Sequence, residues 1–403
     1  MRIGLVLSKP PAYSETFFNA KIKGLQEKGH EVVLFCQTLD HADEITSNEK
    51  SNTDKTTTKP YEIKQFTATK GSFFKRVLLA IQVFFKVLPY TARVLKWYAL
   101  EKNKGIIAFL KDVYINAPLL TSNLDWIHYG FATLALERES LASVMQVKMA
   151  VSFRGYDINV YPQKHPECYK KLWLYVDKIH TISHHLLETA YTLGLPKSTQ
   201  VRCIYPAVDV SRLPEPQAIQ QSNKHTLVTV ARLHWIKGID YIIEIASKLK
   251  QENIDFVWYV IGDGTQKDVE RYRYHAYEKG LSNDVVFVGK CTHDKTLRYM
   301  QKASVYIQTS LNEGFCNAVL EAQAMGKLSV AFNTGALSEN IIHSQTGWLV
   351  KPFDIDAMIK TLTSVLYLPE EEKQVISKQA RQRVNNTFLI EKQQEAFNAF
   401  YTT

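Results

Sequence analysis

Short runs of β-branched and aromatic residues recur along this chain, separated by stretches with helical patterning. RIGLVLS, EVVLFC, YEIKQF, DWIHYG, KMAVSF and KIHTIS mark the first half, and HTLVTVA, DFVWYVIG, DVVFVG, ASVYIQ, KLSVAF and GWLV mark the second. Strand–helix alternation of this kind folds into parallel sheets, because a strand rejoins its neighbour in the same direction only through a crossover, and the crossover helices cover the sheet. The chain has 403 residues, more than one hydrophobic core usually organises. The fold class expected is therefore α/β with two Rossmann-like domains facing across a central cleft, residues 1–205 and 206–403. The polar, proline-containing passage IYPAVDVSRLPEPQAIQQSNK reads as the linker, and Asp40 to Pro60 as a mobile loop without apolar spacing. From about Pro369 the pattern is helical to the end, with the last helix expected to pack back on the first domain. Sites in such folds lie at the strand C-termini.

Charge narrows the partners. The net charge is +9, which invites a nucleic acid or an anionic membrane surface. Between Lys70 and Lys111 the basic residues are Lys70, Lys75, Arg76, Lys86, Arg93, Lys96, Lys102, Lys104 and Lys111, and the one acid is Glu101. They interleave with FF, VLLAIQVFF, VLPY and WYAL. No uninterrupted apolar run approaches the roughly 20 residues that span a bilayer. Such a stretch can lie on an anionic bilayer surface, and it equally describes a pair of core helices with a solvated basic face. No nucleic-acid motif accompanies the charge, so nucleic acid is not expected as a partner. The opening MRIGLVLSKPP reads as a buried strand and not a signal peptide. Five scattered cysteines without a CxxC point to a reduced, cytoplasmic setting, peripheral on the inner face of the membrane if the basic stretch binds it.

The segment LNEGFCNAVLEAQAMGK carries Glu313 before an apolar helix and Glu321 inside it, eight positions on. Eight helical residues rise about 12 Å and turn about 80° beyond two full turns, so the acids do not share one proton. They can grip two ends of a long ligand whose middle, at the helix N-terminus, is anionic. A nucleotide-diphospho-sugar has that layout. Glu321 also lacks a cationic partner at i±4. The strand HTLVTVA runs into RLHWIKGID, so Arg232 and Lys237 sit in a βα loop, a forked donor and a point charge suited to linked phosphates.

ARLHWIKGID, VIGDGTQKDVE, VVFVGK, SLNEGFCNAVLEAQAMGK, NTGALSENI and TGWLVKPFD occur in the order and spacing of the retaining GT-B glycosyltransferases of the family 4 type. Glu313 to Glu321 matches that family's E-x7-E motif. SETFFNAKIKGLQEKGHEVVLF resembles the first strand and helix of members that build exopolysaccharide and related surface glycans. The resemblance implies a transfer enzyme that needs no metal or other cofactor. It places Arg232 and Lys237 on the diphosphate of the sugar donor, Glu313 on the sugar near the reacting carbon, the backbone N–H groups of Phe315, Cys316, Asn317 and Ala318 on the sugar and distal phosphate, and Glu321 on the ribose. Gly262, in the GDG turn, would line the nucleotide cleft. His128 would stand near the sugar and the acceptor. The acceptor implied is a glycan or a lipid-linked glycan.

Two departures stand out. VSFRGYDI has Arg154 where many members have histidine. Arg154 is expected either to bind an anionic acceptor group, with Asp157 beside it, or to be buried against Asp157. The first loop, SKPPAYSETF, lacks the glycine-rich turn of many relatives, and its Ser14 and Glu15 are expected on the acceptor side. The same absence of GxGxxG argues against a nicotinamide-binding half. The DID at Asp354 to Asp356 is expected to cap a helix, not bind a metal, and His184 and His185 lack metal spacing. A nucleotide-sugar epimerase and a non-catalytic sugar-nucleotide or glycan-binding module are the alternatives.

Overall fold

The computed structural model describes residues 1–11, 16–38, 61–67, 73–102, 104–214 and 224–403. The chain divides into two compact units. The first comprises Met1–Ile182, Leu186–Ile204 and Gln394–Thr403, and the second Ser183–His185 and Tyr205–Gln393.

The first unit is built on seven strands: β1 (Arg2–Leu7), β2 (Glu31–Cys36), β3 (Glu62–Gln65), β4 (Trp126–Tyr129), β5 (Lys148–Phe153), β6 (Lys178–Thr181) and β7 (Gln200–Cys203). They are all parallel, in the order β3-β2-β1-β4-β5-β6-β7. The six expected strands are present. The seventh, β7, was not anticipated, because QVRC is short, half-exposed and carries no apolar run. On one face Ile3, Leu5, Leu7, Val32, Leu34 and Cys36 pack with Phe17, Phe18 and Ile22 of the helix Thr16–Glu27. Phe397, Phe400 and Tyr401 of the terminal helix join the same core.

A buried polar chain stitches three of these strands together. His180 Nε2 lies 3.1 Å from the Ile204 carbonyl, which can only accept, so that nitrogen donates and Nδ1 accepts from Ser152 Oγ at 2.8 Å. The Ser152 oxygen then accepts from His128 Nε2 at 2.7 Å. His128 Nδ1 is left as the acceptor, its single lone pair facing the Tyr401 hydroxyl at 2.5 Å, with Lys21 Nζ 3.1 Å away. With both imidazoles neutral, one consistent proton direction runs the length of the chain. Burial, followed by the Lys21 charge, pushes both well below the usual histidine value.

The second unit repeats the plan with β8 (His225–Val230), β9 (Phe256–Ile261), β10 (Val285–Gly289), β11 (Val305–Gln308), β12 (Leu328–Phe332) and β13 (Trp348–Val350). They are parallel in the order β10-β9-β8-β11-β12-β13. Neighbouring residues serve opposite faces, as the two-residue strand period dictates. Leu227, Val305, Ile307 and Val330 enter one core with the helices Ile239–Gln251 and Ile355–Leu366, whereas Val228, Tyr306 and Ala331 enter the other. Asp354 caps the second of those helices, its carboxylate accepting from Ala357 N at 3.0 Å, so DID does have a capping role.

One expectation is corrected. The helices Phe73–Val87 and Thr91–Leu100 are joined by a 3-10 turn, Leu88–Tyr90, in which Pro89 takes a first-turn position that needs no N–H. The result is a continuous helical stretch, Val77–Leu100, of 24 residues whose most apolar stretch has mean hydropathy 1.5, long and apolar enough to cross a membrane by length and composition.

The neutral histidine chain makes a prediction. In the unfolded chain both imidazoles titrate near 6.5, whereas folded they resist protonation, so stability should decline as pH falls through 6.5. Urea unfolding above and below that pH should show this slope. In His128→Phe it should be shallower, with stability at neutral pH reduced by about 2–3 kcal/mol because Tyr401 and Ser152 lose their buried partner. An unchanged slope would remove His128 from the network.

Candidate functional site

Strand order alone locates the crevice of the second unit. From β8 the chain runs outward one way through β9 and β10, and from β11 the other way through β12 and β13. The loops leaving the C-terminal ends of β8 and β11 therefore diverge, and a ligand can enter between them. Arg232 and Lys237 lie in the first loop and Glu313 to Cys316 in the second.

The two loops are laced together. Thr309 Oγ1 donates to the Gly238 carbonyl at 3.0 Å, and Leu311 N donates to the Ile236 carbonyl at 2.8 Å. Gly238 turns left-handed at φ 65°, and a Cβ there would stand 2.0 Å from the Thr309 carbonyl oxygen. This approach brings Lys237 Nζ to 2.6 Å from Glu313 Oε1. The same oxygen accepts from Ser310 Oγ at 2.7 Å and Gln308 Nε2 at 3.3 Å, and Gln308 is itself held by the Tyr306 hydroxyl at 2.6 Å. Glu313 is buried, and the Lys237 side chain retains 19% exposure. Arg232 stands exposed on the same loop. Gly262, at φ 139°, lets the β9 loop meet the β8 loop. A Cβ there would be 2.0 Å from the Ala231 carbonyl oxygen.

The helix Asn317–Ala324 starts directly behind Glu313. Its entry is pinned by a reciprocal pair, Cys316 N donating to Asn340 Oδ1 at 3.0 Å and Asn340 Nδ2 donating to the Cys316 carbonyl at 3.1 Å. The expected set of ligand-facing amides is corrected here, because the Cys316 N–H is already engaged. Burial pushes the Cys316 thiol up to about 12, so it stays protonated. Phe315 is an anchor, its ring 5.3 Å from that of Tyr205 and 5.7 Å from that of Phe388. Asn317 is exposed and Ala318 partly so, and among the described residues the N-cap side chain, Cys316, makes no hydrogen bond to these first helical amides. Further along, Glu321 Oε1 lies 2.9 Å from His293 Nε2. That partner comes from the helix His293–Lys302, out of reach of any i±4 search. The hydrogen bond to Glu321 raises the His293 imidazole above its ordinary value, against the opposing effect of burial.

The first unit treats its candidates differently. His128 lies within the buried chain described above, both ring nitrogens occupied, so its expected place beside the sugar is corrected to a structural one. Asp157 is also structural. Its carboxylate accepts from Arg154 N at 3.0 Å, Gly155 N at 2.9 Å and Ala132 N at 3.1 Å, clamping the loops after β5 and β4. Burial raises its pKa, against the pull of those three amides. Arg154 lays its guanidinium on aromatic faces, with Cζ 3.8 Å from the Phe17 centroid and 4.1 Å from that of Phe18. Its backbone N–H donates to Asp157, and its charge pulls the Asp157 carboxyl down alongside the three amides. Ser14 and Glu15 fall outside the described residues.

Residues 214–383 match the family described as glycosyl transferases group 1. The chain is a GT-B glycosyltransferase whose C-terminal unit carries the group 1 signature. It is 24% identical over 411 residues, 96% of each chain, to the Escherichia coli (strain K12) protein WcaL, named for colanic acid biosynthesis. It is 26% identical to the amylovoran biosynthesis glycosyltransferase AmsK of Erwinia amylovora over 69% of each. The crystal structure of Anabaena Alr3699/HepE with UDP-glucose superposes with a TM-score of 0.72 at 15% identity, covering 99% of this glycosyltransferase and 98% of that chain.

The His293–Glu321 contact can be read directly. Because the folded pKa of His293 is raised, the pair contributes its stability fully below 6.5 and loses it as pH rises through the folded value. A proton NMR titration should place His293 above 6.5 in the wild type and return it close to 6.5 in Glu321→Gln. Identical midpoints in the two proteins would disprove the coupling.

Proposed function

We propose that this glycosyltransferase moves a sugar from a nucleoside-diphosphate sugar, UDP-linked as in the Anabaena relative's complexes, to a glycan or lipid-linked glycan acceptor, with retention of anomeric configuration. The acceptor class follows the relatives named for colanic acid and amylovoran biosynthesis. The observation that carries the reading is the Lys237–Glu313 contact at the switch point, set between exposed Arg232 and the uncapped start of the helix that bears Glu321.

In this reading Arg232 and Lys237 take the diphosphate, aided by the amides of Asn317 and Ala318. These fixed positive ends stabilise charge as it grows on the leaving group, with no reorganisation at the moment of transfer. Glu313 orients the sugar hydroxyls, already fixed by Ser310 and Gln308 before the ligand arrives. Glu321, held by His293, accepts from the ribose. Retention follows if the departing diphosphate, on the acceptor's face, receives the acceptor's proton. The cationic side chains do the work of a metal in this scheme.

Arg232 and Lys237 separate the contributions. Arg232→Ala, at an exposed position, should keep the melting temperature and weaken the UDP-induced thermal shift. Wild-type protein saturated at about a hundred times Kd should gain about 2.7 kcal/mol. Lys237→Ala should lower kcat by about two to four orders of magnitude, about 3–5 kcal/mol. A loss below tenfold would refute the role of Lys237. Product formed from the sugar nucleotide without any acceptor would instead point to an epimerase.

A further inference from the structure

The helical stretch Val77–Leu100 of the first unit is apolar on two faces. Leu79, Val83, Tyr90 and Val94 are half-buried, and Val87 and Trp97 are fully buried, so one stripe is turned toward the protein. That side is fastened by polar contacts as well. Trp97 Nε1 donates to Ser140 Oγ at 3.1 Å, and Arg93 donates to the carbonyls of Leu120 and Ser122 at 2.7 and 3.3 Å. Phe74, Val77, Leu78, Ile81, Phe84, Phe85, Leu88 and Leu95 form a second stripe. At 100° per residue these eight fall within about 60° of a single line on the helix. All are exposed, Phe84 by 63%, Phe85 by 65% and Leu95 by 68%. The neighbouring helix Ile106–Leu120 adds Ile106, Ile107 and Leu110, also exposed, while its Phe109 packs inward 5.3 Å from the Trp97 ring.

Charge says what covers this face. Lys86, Lys96, Lys102 and Lys111 are exposed along the two helices and the turn between them. Glu101 is buried and already neutralised by Lys171 at 2.6 Å, and Lys104 pairs with Asp112. Among the described residues, the solvent-facing charge around the apolar stripe is therefore positive. An apolar stripe bordered by lysines is complementary to a layer with hydrocarbon below and negative headgroups above.

We infer that this face docks in the plane of an anionic phospholipid bilayer, Phe84, Phe85 and Leu88 entering the acyl boundary while Lys86 and Lys96 meet headgroups. The helix lies flat and does not cross, because Val87 and Trp97 of its opposite stripe are buried in the first unit. The inference stands on the two helix faces and needs no assumption about the sugar nucleotide.

Flotation of the purified full chain with vesicles tests it. The protein should rise with phosphatidylglycerol–phosphatidylcholine vesicles and stay behind with phosphatidylcholine alone. Phe84→Ser/Phe85→Ser should lower binding about tenfold or more at an unchanged melting temperature, since both rings are exposed. Lys86→Gln/Lys96→Gln should lower it about 20–30-fold, an effect that rising salt erases. Equal flotation of the wild type and the double-serine variant would overturn the proposal. So would failure of the wild type to float with anionic vesicles, or a concentration-dependent dimer that the serine variant abolishes, which would assign the face to a second copy. Wild type that resists alkaline carbonate extraction would mean a spanning helix and would equally overturn it.

Discussion

Parallel pairing is the constraint from which the rest of this protein follows. A parallel sheet admits no hairpins, so every strand is followed by a crossover, and crossovers of one hand place helices on both faces. Each sheet then grows outward from its first strand in one direction before reversing to fill the other side, which gives the order seen in both units. The reversal opens one gap between loops at the strand C-termini, and in the second unit Lys237 and Glu313 meet there. The contact is thus a product of topology, reached by residues 76 positions apart.

That ion pair has an electrostatic consequence. A carboxylate as buried as Glu313 is tolerated because Lys237, Ser310 and Gln308 together replace its water. The donors are aimed by a backbone approach that only glycine at 238 permits. Glu313 is therefore oriented before any ligand is present, while Lys237 keeps enough exposure to serve a second anion. Preorganisation of the acid and availability of the cation come from the same geometry.

Much of this was legible in the sequence. Twelve strand runs were visible because they are apolar and bounded by helical patterning. The seventh strand of the first sheet was hidden because an edge segment such as QVRC needs neither feature. Arg232, Lys237, Glu313 and Glu321 were readable because their positions relative to strand ends and a helix start carry the geometry. His293 was not, since a partner supplied by a separate helix leaves no local spacing to detect. His128 was misread for a related reason. Its place near the end of β4 looked open, and the groups that enclose it come from Lys21, Ser152 and Tyr401, far apart in the chain. Asp157 likewise resembles a ligand carboxylate until the three amides it holds are seen.

The stretch Val77–Leu100 shows the limit of pattern reading from the other side. A surface helix of a globular protein ordinarily carries one apolar stripe, the one it buries. A helix with two stripes on opposite sides has two apolar environments, and the described residues of the first unit supply one. Interleaved lysines masked this in the linear sequence by interrupting every apolar run, yet on the helix Lys96 lies at the edge of the exposed stripe and Lys86 about 140° from its centre, which leaves it continuous. The exposed phenylalanines and leucines are too many and too well aligned to be scattered surface residues. The sheet does not need them, and a second apolar phase outside the protein is what the proposed docking on a bilayer would supply.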